Sequence, residues 1–592
     1  MERPTDWRTA ERRYDDEVIG GGTIPELFEE SVERNAERMA QGYKGGVYDR
    51  SLAGSVVEEA PVGEYRTLTY AEMGEIVRCL AVGFRDLGVE SGDRVGIYAD
   101  TRMEWAHSDF ALLAAGAVVT TVYTDSSVEQ VEYLLTDPGA SGVVCGTPEL
   151  AERALEAIEA GDDEADDGAG DRDERNGPET EFVVVMDSVE EGHFGETPVP
   201  VHTLEAIYDR GADRFDREEY NALLTERDPT DLASLIYTSG TTGKPKGVRL
   251  THRNFRANIN GIRRRFGPRP DKGEDVPALD ESTRSLSFLP LAHVFERTSG
   301  HFVMFASGAT VAYAESADTV GEDIEVVRPT SATSVPRVYE RIFDAMVERA
   351  GDGPKKKVFD WALDVGRAYE RTTDPGIALR AKRAIADRLV FAQVKENLGG
   401  RVDFFISGGG TLSPELSELF AGMGLPIFEG YGLTETAPVV SVNPPEAPRP
   451  GTIGPPLENV EVKLDDAGLD DTALGDGVSD GGAFDGENGT GTGTGGEIGE
   501  LLVRGPNVSA GYWRRPGATE RAFTEGRGGE KWFRTGDLVE RRPDDYLVYR
   551  DRLKQLLVLS TGKNVAPEPI EGRFATSRRV DQCMVVGDDR KL

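Results

Sequence analysis

Along this chain, apolar residues spaced at a helical period alternate with short apolar runs. From Tyr70 onward, Met73, Ile76, Leu80 and Phe84 follow one face of a 3.6-residue helix. Thr69 with Glu72 is a capping-box pair that predicts where this helix starts, and Gly88 is a natural stop. Residues 94–99 then read as a buried strand. A second helix is predicted over about 102–115, and 117–123, rich in Val and Thr, is again strand-like. Further strands are predicted at 142–145, 182–186, 232–237, 285–289, 310–313 and 402–407, with helical patterns between several of them. This alternation predicts an α/β fold of mostly parallel sheets covered by helices.

Two segments break the alternation. Residues 161–180 carry nine acids against two arginines, and 465–497 carry nine acids, eleven glycines and no base. Neither can bury enough apolar area to order itself, so both are predicted to be flexible surface insertions.

Charge sharpens the picture. The 592 residues hold 67 Lys and Arg against 106 Asp and Glu, a net charge of −39, and only 14 of the 67 bases are Lys. A polyanion such as nucleic acid needs a basic surface and is excluded as a partner. With 38% hydrophobic residues the chain is a globule rather than an acidic coil. Dense carboxylates are tolerable where salt screens them, which predicts a surface suited to a high-salt cytoplasm. Cys79, Cys145 and Cys583 lie far apart without metal-ligand spacing, as in a reduced cytosolic protein. Residues 1–17 have no apolar signal-peptide core, and the longest apolar run, about 110–122, is too short to span a bilayer. The expected location is the cytoplasm, with peripheral contact at the inner face of the membrane and a homodimer both left open.

Candidate chemistry centres on Thr238-Ser239-Gly240-Thr241-Thr242-Gly243-Lys244-Pro245-Lys246-Gly247-Val248, which follows the apolar run 232–237. Glycines let backbone N–H groups close around phosphate oxygens, hydroxyls donate to the same oxygens or help hold Mg²⁺, and lysines supply charge. The loop is not the common P-loop, because two residues rather than four separate Gly240 from Gly243, and Pro245 follows Lys244. The full string resembles the signature loop of the adenylate-forming (AMP-binding) superfamily, which includes acyl-CoA synthetases, luciferases and peptide-synthetase adenylation domains.

Other blocks carry the same resemblance in the same order. Gly408, Gly409 and Gly410 match a turn that passes close to adenine and the acyl group. Tyr431-Gly432-Leu433-Thr434-Glu435 matches a motif whose aromatic stacks on adenine, whose Thr contacts phosphate and whose Glu helps bind Mg²⁺. Asp537 matches a carboxylate that binds both ribose hydroxyls. Arg552 matches a contact to ribose or phosphate, in the hinge string that contains Asp551 and Lys554. Residues 499–506 and Gly511-Tyr512-Trp513 match a block expected to be mainly structural. His293, in Leu289-Pro290-Leu291-Ala292-His293-Val294-Phe295-Glu296-Arg297, matches a histidine near the acyl carboxylate. The latter block, Thr120 to Gln130 and the post-hinge loop with Gly562, Lys563 and Asn564 on the coenzyme A side are similar to the long-chain fatty acyl-CoA synthetase branch.

The resemblance implies an N-terminal domain over 1–550, with helix-covered, mostly parallel sheets and a β-barrel-like subdomain. It further implies a hinge at 551–556 and an incomplete α+β C-terminal domain at 557–592. It implies that a fatty acid, ATP and coenzyme A are substrates and Mg²⁺ the cofactor. Thr238, Lys244, His293 and Glu435 would be catalytic, with Thr238 and Glu435 holding the metal. A near-terminal lysine that the family uses in adenylation has no counterpart at Lys591, so a fragment, a truncated product or an impaired first half-reaction is expected. An acyl-AMP ligase serving a carrier protein, and a non-catalytic nucleotide- or acyl-adenylate-binding protein, are the competing expectations. The high-salt reading predicts that folding and activity rise together as KCl is added; full activity and stability without added KCl contradict it.

Overall fold

The computed structural model describes residues 6–165, 179–238, 244–316, 318–372, 374–465, 496–526, 528–553, 557–558, 564–565 and 583–585. Two large sheets dominate. A seven-stranded sheet runs in the order Val201–Thr203, Phe182–Val185, Ala140–Cys145, Arg94–Tyr98, Val118–Val122, Leu232–Thr238, Lys246–Thr251, parallel throughout except for the last pair. An eight-stranded sheet follows the order Val439–Val442, Ile427–Gly432, Phe404–Ser407, Ser331–Ser334, Arg284–Ser287, Thr310–Tyr313, Met39–Lys44, Tyr65–Thr69, with antiparallel pairs only at its two edges. The expected α/β architecture is the one observed.

Local signals explain the elements. Thr69 caps the helix Tyr70–Asp86: the Glu72 N–H donates to Thr69 Oγ1 at 3.2 Å, and the Thr69 N–H donates to Glu72 Oε2 at 2.7 Å. Met73, Ile76, Leu80 and Phe84 all point into the core, and Gly88 leaves the helix at φ +109. The apolar run near 110–122 divides between the helix Met103–Ala114, buried at every position, and the strand Val118–Val122.

A third, wholly antiparallel sheet stands where the barrel-like subdomain is expected. Its five strands are Glu461–Asp465, Glu497–Arg504, Phe523–Glu525, Lys531–Arg541 and Leu547–Arg552, paired in an open order. Leu557–Val558 and Asn564–Val565 form a separate two-stranded hairpin.

The two acidic segments are narrower than the composition implies. The helix Pro148–Ala165 continues into the first, and Thr180 at its far end is buried, its hydroxyl donating to the Ala140 carbonyl at 3.2 Å. Asp465 and Glu497 are strand residues, paired into the third sheet. Residues 166–178 and 466–495 lie outside the described residues.

One buried cation ties the core together. Arg297, fully buried, makes a two-pronged pair with Asp109 at 2.8 and 2.5 Å and donates to Ser234 Oγ at 2.6 Å. The rings of Trp105, Phe255 and Phe302 surround its guanidinium at 5.3–5.6 Å. Removing one member leaves a charge stranded without water. Arg297→Met is expected to lower unfolding free energy by about 3–5 kcal/mol, and Asp109→Leu added to it to recover part of the loss. Denaturant titration of both variants reads this; an unchanged midpoint in Arg297→Met contradicts it.

Candidate active site

The ends of the parallel strands meet the third sheet at one cleft of about 1960 Å³. Clefts at the carboxyl ends of parallel strands are where such sheets place ligands. The last two strands of the seven-stranded sheet and their connection contribute Thr238 and Lys244; strands of the eight-stranded sheet and the turns after them contribute Gly408, Gly409, Gly410, Tyr431, Gly432, Thr434 and Glu435; the third sheet contributes Asp537 and Arg552. His293 lines the same cleft from the segment after Arg284–Ser287. These predicted residues are thus brought together from three sheets.

The phosphate-loop candidate lies between two antiparallel strands. Thr238 pairs with Lys246 across the last two strands of the seven-stranded sheet. Ser239, Gly240, Thr241, Thr242 and Gly243 lie outside the described residues. Its exit is well anchored: Tyr133 donates to the Pro245 carbonyl at 2.7 Å, and Lys244 Nζ sits 5.1 Å from the centre of the Tyr133 ring. Lys246 Nζ lies 5.3 Å from the Tyr512 ring centre. Tyr237, next to last in the strand Leu232–Thr238, donates to Asp137 at 2.8 Å. Arg515 pairs with the other oxygen of Asp137 at 2.6 Å.

Glycines in the cleft wall answer to close contacts. A Cβ at Gly408 would lie 2.8 Å from the Phe295 ring, and one at Gly432 would lie 2.0 Å from the Pro438 carbonyl oxygen.

Asp537 is held from two sides of the cleft. It pairs with Arg552 across adjacent strands, where Arg552 Nε stands 3.2 Å from Oδ1. The Tyr431 hydroxyl donates to Oδ2 at 2.5 Å, and the Tyr549 ring stands 6.1 Å from that of Tyr431. Burial pushes the Asp537 carboxyl above its ordinary range, and the Tyr431 hydrogen bond and Arg552 oppose this. Asp551, next to Arg552, is buried; its Oδ1 accepts from the Arg552 N–H at 2.7 Å. Lys554, Gly562 and Lys563 lie outside the described residues, and Asn564 is placed by its backbone pairing with Val558.

Glu435 is held by a residue expected to be structural. The Tyr512 hydroxyl donates to Glu435 Oε1 at 2.7 Å, and the Ser509 N–H donates to the Glu435 carbonyl at 2.8 Å. Tyr512 therefore belongs to the site, as do Tyr133 and Tyr549. The sequence signal was present in the Gly511-Tyr512-Trp513 block, but the partner 77 positions away was not visible there. Among the described residues no cluster of three or more His, Cys, Asp or Glu is arranged to hold a metal by protein ligands alone.

The His293 segment is pinned by hydroxyls of its neighbour sheet. Thr101 Oγ1 donates to the Leu289 carbonyl at 2.6 Å, and Thr121 Oγ1 donates to the Ala292 carbonyl at 2.8 Å. The Phe295 N–H donates to His293 Nδ1 at 3.1 Å, which places the ring proton on Nε2. Desolvation lowers the His293 pKa, so the ring is neutral at pH 7. Glu296 is buried and accepts from Ser287 at 2.6 Å; burial raises its pKa to about 8, so it carries a proton at neutral pH. Apolar Ile262, Phe266, Leu279, Val303, Met304 and Phe404 line the same cleft.

Comparison with known proteins follows the same lines. The sequence profile of a family described as AMP-binding enzyme matches residues 48–513, and that of the AMP-binding enzyme C-terminal domain matches residues 554–592. The chain is 34% identical over 529 residues to a long-chain-fatty-acid–CoA ligase, FadD15, of Mycobacterium bovis, covering 89% of this chain and 76% of that protein. It is 30% identical over 576 residues to the peroxisomal long chain acyl-CoA synthetase 7 of Arabidopsis thaliana, covering 96% and 72%. A crystal structure of a long-chain-fatty-acid-CoA ligase from Archaeoglobus fulgidus superposes with a TM-score of 0.61 at 20% identity, covering 96% of this chain and 89% of that one.

The raised Asp537 pKa sets a pH test. On acidification this carboxylate takes up its proton at a higher pH than an ordinary Asp and becomes a weaker acceptor for the two ribose hydroxyls. Adenosine, which carries no titrating phosphate, is expected to bind more weakly on acidification, with the loss setting in at a higher pH than an ordinary Asp would give. Tyr431→Phe should move that loss to higher pH, and Asp537→Asn should bind weakly at every pH. Calorimetric titration reads all three, and a pH-independent adenosine affinity in the parent chain contradicts the assignment.

Proposed function

The chain belongs to the AMP-binding enzyme family, and we propose that it activates a long-chain fatty acid with ATP, first to acyl-AMP and then to acyl-CoA. The observation that carries this reading is the continuity of one cleft. Tyr431, Asp537 and Arg552 line the same cavity as His293 and the apolar residues Ile262, Met304 and Phe404. A nucleotide and an acyl chain can therefore meet end to end.

In the proposed first half-reaction the fatty carboxylate attacks the α-phosphorus of ATP and pyrophosphate leaves. The Thr238 to Lys244 loop would hold the departing phosphates, and Lys244 supplies charge where negative charge develops. Tyr431 offers its face to adenine, and Asp537 accepts from the ribose hydroxyls. Neutral His293, with its proton on Nε2, can donate to the acyl carboxylate without pairing with it as an ion. The residues fit Mg²⁺: one carboxylate, Glu435, oriented by Tyr512, and one hydroxyl, Thr238, line the cleft. Mg²⁺ commonly takes few protein ligands and fills its shell with water and phosphate oxygens. When bound, it would offset phosphate charge.

In the second half-reaction the coenzyme A thiolate attacks the acyl carbonyl and AMP leaves. Residues 551–556 are the proposed hinge for the domain motion between the halves, and Gly562, Lys563 and Asn564 the coenzyme A side. We place the enzyme in the cytoplasm. Among the described residues no helix is long and apolar enough to cross a membrane.

AMP release from ATP with palmitate should require coenzyme A. Glu435→Ala, Asp537→Ala and Lys244→Ala should each lower acyl-AMP formation by about 10²–10³-fold. AMP release that needs an acyl carrier protein instead of coenzyme A, or nucleotide binding with no turnover of any fatty acid, overturns the reading.

A further inference from the structure

The helical segment at residues 354–397 differs from the rest of the surface. It holds ten Lys and Arg against six Asp and Glu, including five of the chain's 14 lysines, in a protein of net charge −39. Its helices are Pro354–Glu370 and Ile377–Ala386, the second continued by Asp387–Phe391 and Ala392–Asn397. The inner side is well buried: Phe359, Leu363, Ala386, Phe391 and Val394 share a core with the helix Pro414–Met423.

The outer side is not polar, as a solvated helix face would be. Ile377, Ile385 and Leu389 are 89%, 51% and 60% exposed, and Ala381 between them is exposed as well. The four-residue spacing lines them up as one apolar ridge. Val358 on the neighbouring helix is 40% exposed. Four of the eight exposed large apolar side chains among the described residues fall in this short segment. Exposed Arg380, Lys382 and Arg388 flank the ridge, and Lys382 and Arg388 have no ion-pair partner among the described residues.

We propose that this ridge is a docking surface for an anionic lipid bilayer. An apolar strip bordered by cations is the pattern of a helix that lies in the membrane interface, with its apolar side chains among the acyl tails and its cations at the phosphates. A second copy of the chain is a poorer occupant. A two-fold contact through this patch would set one cationic face against another. The acidic remainder of the protein is repelled by the same bilayer, so the patch also fixes which side approaches. The inference takes its purpose from the fatty-acid reading above, since long-chain acids partition into bilayers.

Co-sedimentation of the full chain with phosphatidylglycerol or phosphatidylcholine vesicles, without nucleotide, tests it at the lowest KCl that keeps the chain folded. Binding to the anionic vesicles is expected to exceed binding to the neutral ones by about tenfold or more and to weaken with KCl. The triple variant I377S/I385S/L389S and the double variant K382E/R388E should each lose about tenfold in anionic-vesicle binding. Their melting temperatures and their turnover of octanoate in vesicle-free solution should match the parent. Equal binding to both vesicle types, or variants that bind as the parent does, overturns the proposal. So does a dimer in sedimentation velocity that the triple variant dissolves, which gives the ridge to a second copy. Vesicle binding by a chain that activates no fatty acid would remove the proposed activity and leave the docking surface standing.

Discussion

Arg297 is the constraint on which the site depends. Its guanidinium reaches the helix Met103–Ala114 through Asp109 and the strand Leu232–Thr238 through Ser234. Its backbone N–H donates to the His293 carbonyl at 3.2 Å. One buried side chain therefore fixes the histidine segment against the strand that leads into the phosphate loop. Such a pair is expensive to desolvate, and its value lies in geometry that an apolar replacement cannot specify. Thr101 and Thr121 repeat the device with hydroxyls, pinning the carbonyls just before His293. Buried polar groups thus join the histidine segment to the elements around it.

The cleft also has to attract a polyanion in a protein of net charge −39. It does so locally. Lys244 and Lys246 are held over the rings of Tyr133 and Tyr512, and Arg552 stands at Asp537. Aromatic faces hold a cation without neutralising it as a carboxylate would. Tyr512 performs two tasks at once, since its hydroxyl also fixes Glu435. The tyrosines that frame the cleft thus set the positions of charged groups as well as filling space.

Much of the fold was legible because its signals are local. Thr69 and Glu72 cap the predicted helix, and the strands at 94–99, 117–123, 232–237 and 402–407 fall where short apolar runs place them. The site residues were legible through motif resemblance, and the structure brings those it describes to one cleft. Tyr512, Tyr549, Tyr133 and Asp137 were not, because each acts through a partner distant in sequence and no local pattern encodes such a pair. The apolar lining of the cleft was invisible for the same reason: Ile262, Met304 and Phe404 come from three separate segments. The acidic segments were overdrawn at their ends, where composition masks Thr180, which is buried against the Ala140 carbonyl.

The central claim is that a carboxylate oxygen of the fatty acid becomes bonded to the α-phosphorus of ATP in this cleft. Palmitate labelled with ¹⁸O in its carboxyl group tests it directly. Attack on the α-phosphorus followed by thiolysis leaves that oxygen on AMP, so mass spectrometry should find one ¹⁸O in the released AMP and none in pyrophosphate. Label in inorganic phosphate or pyrophosphate, or AMP without label, would contradict the account.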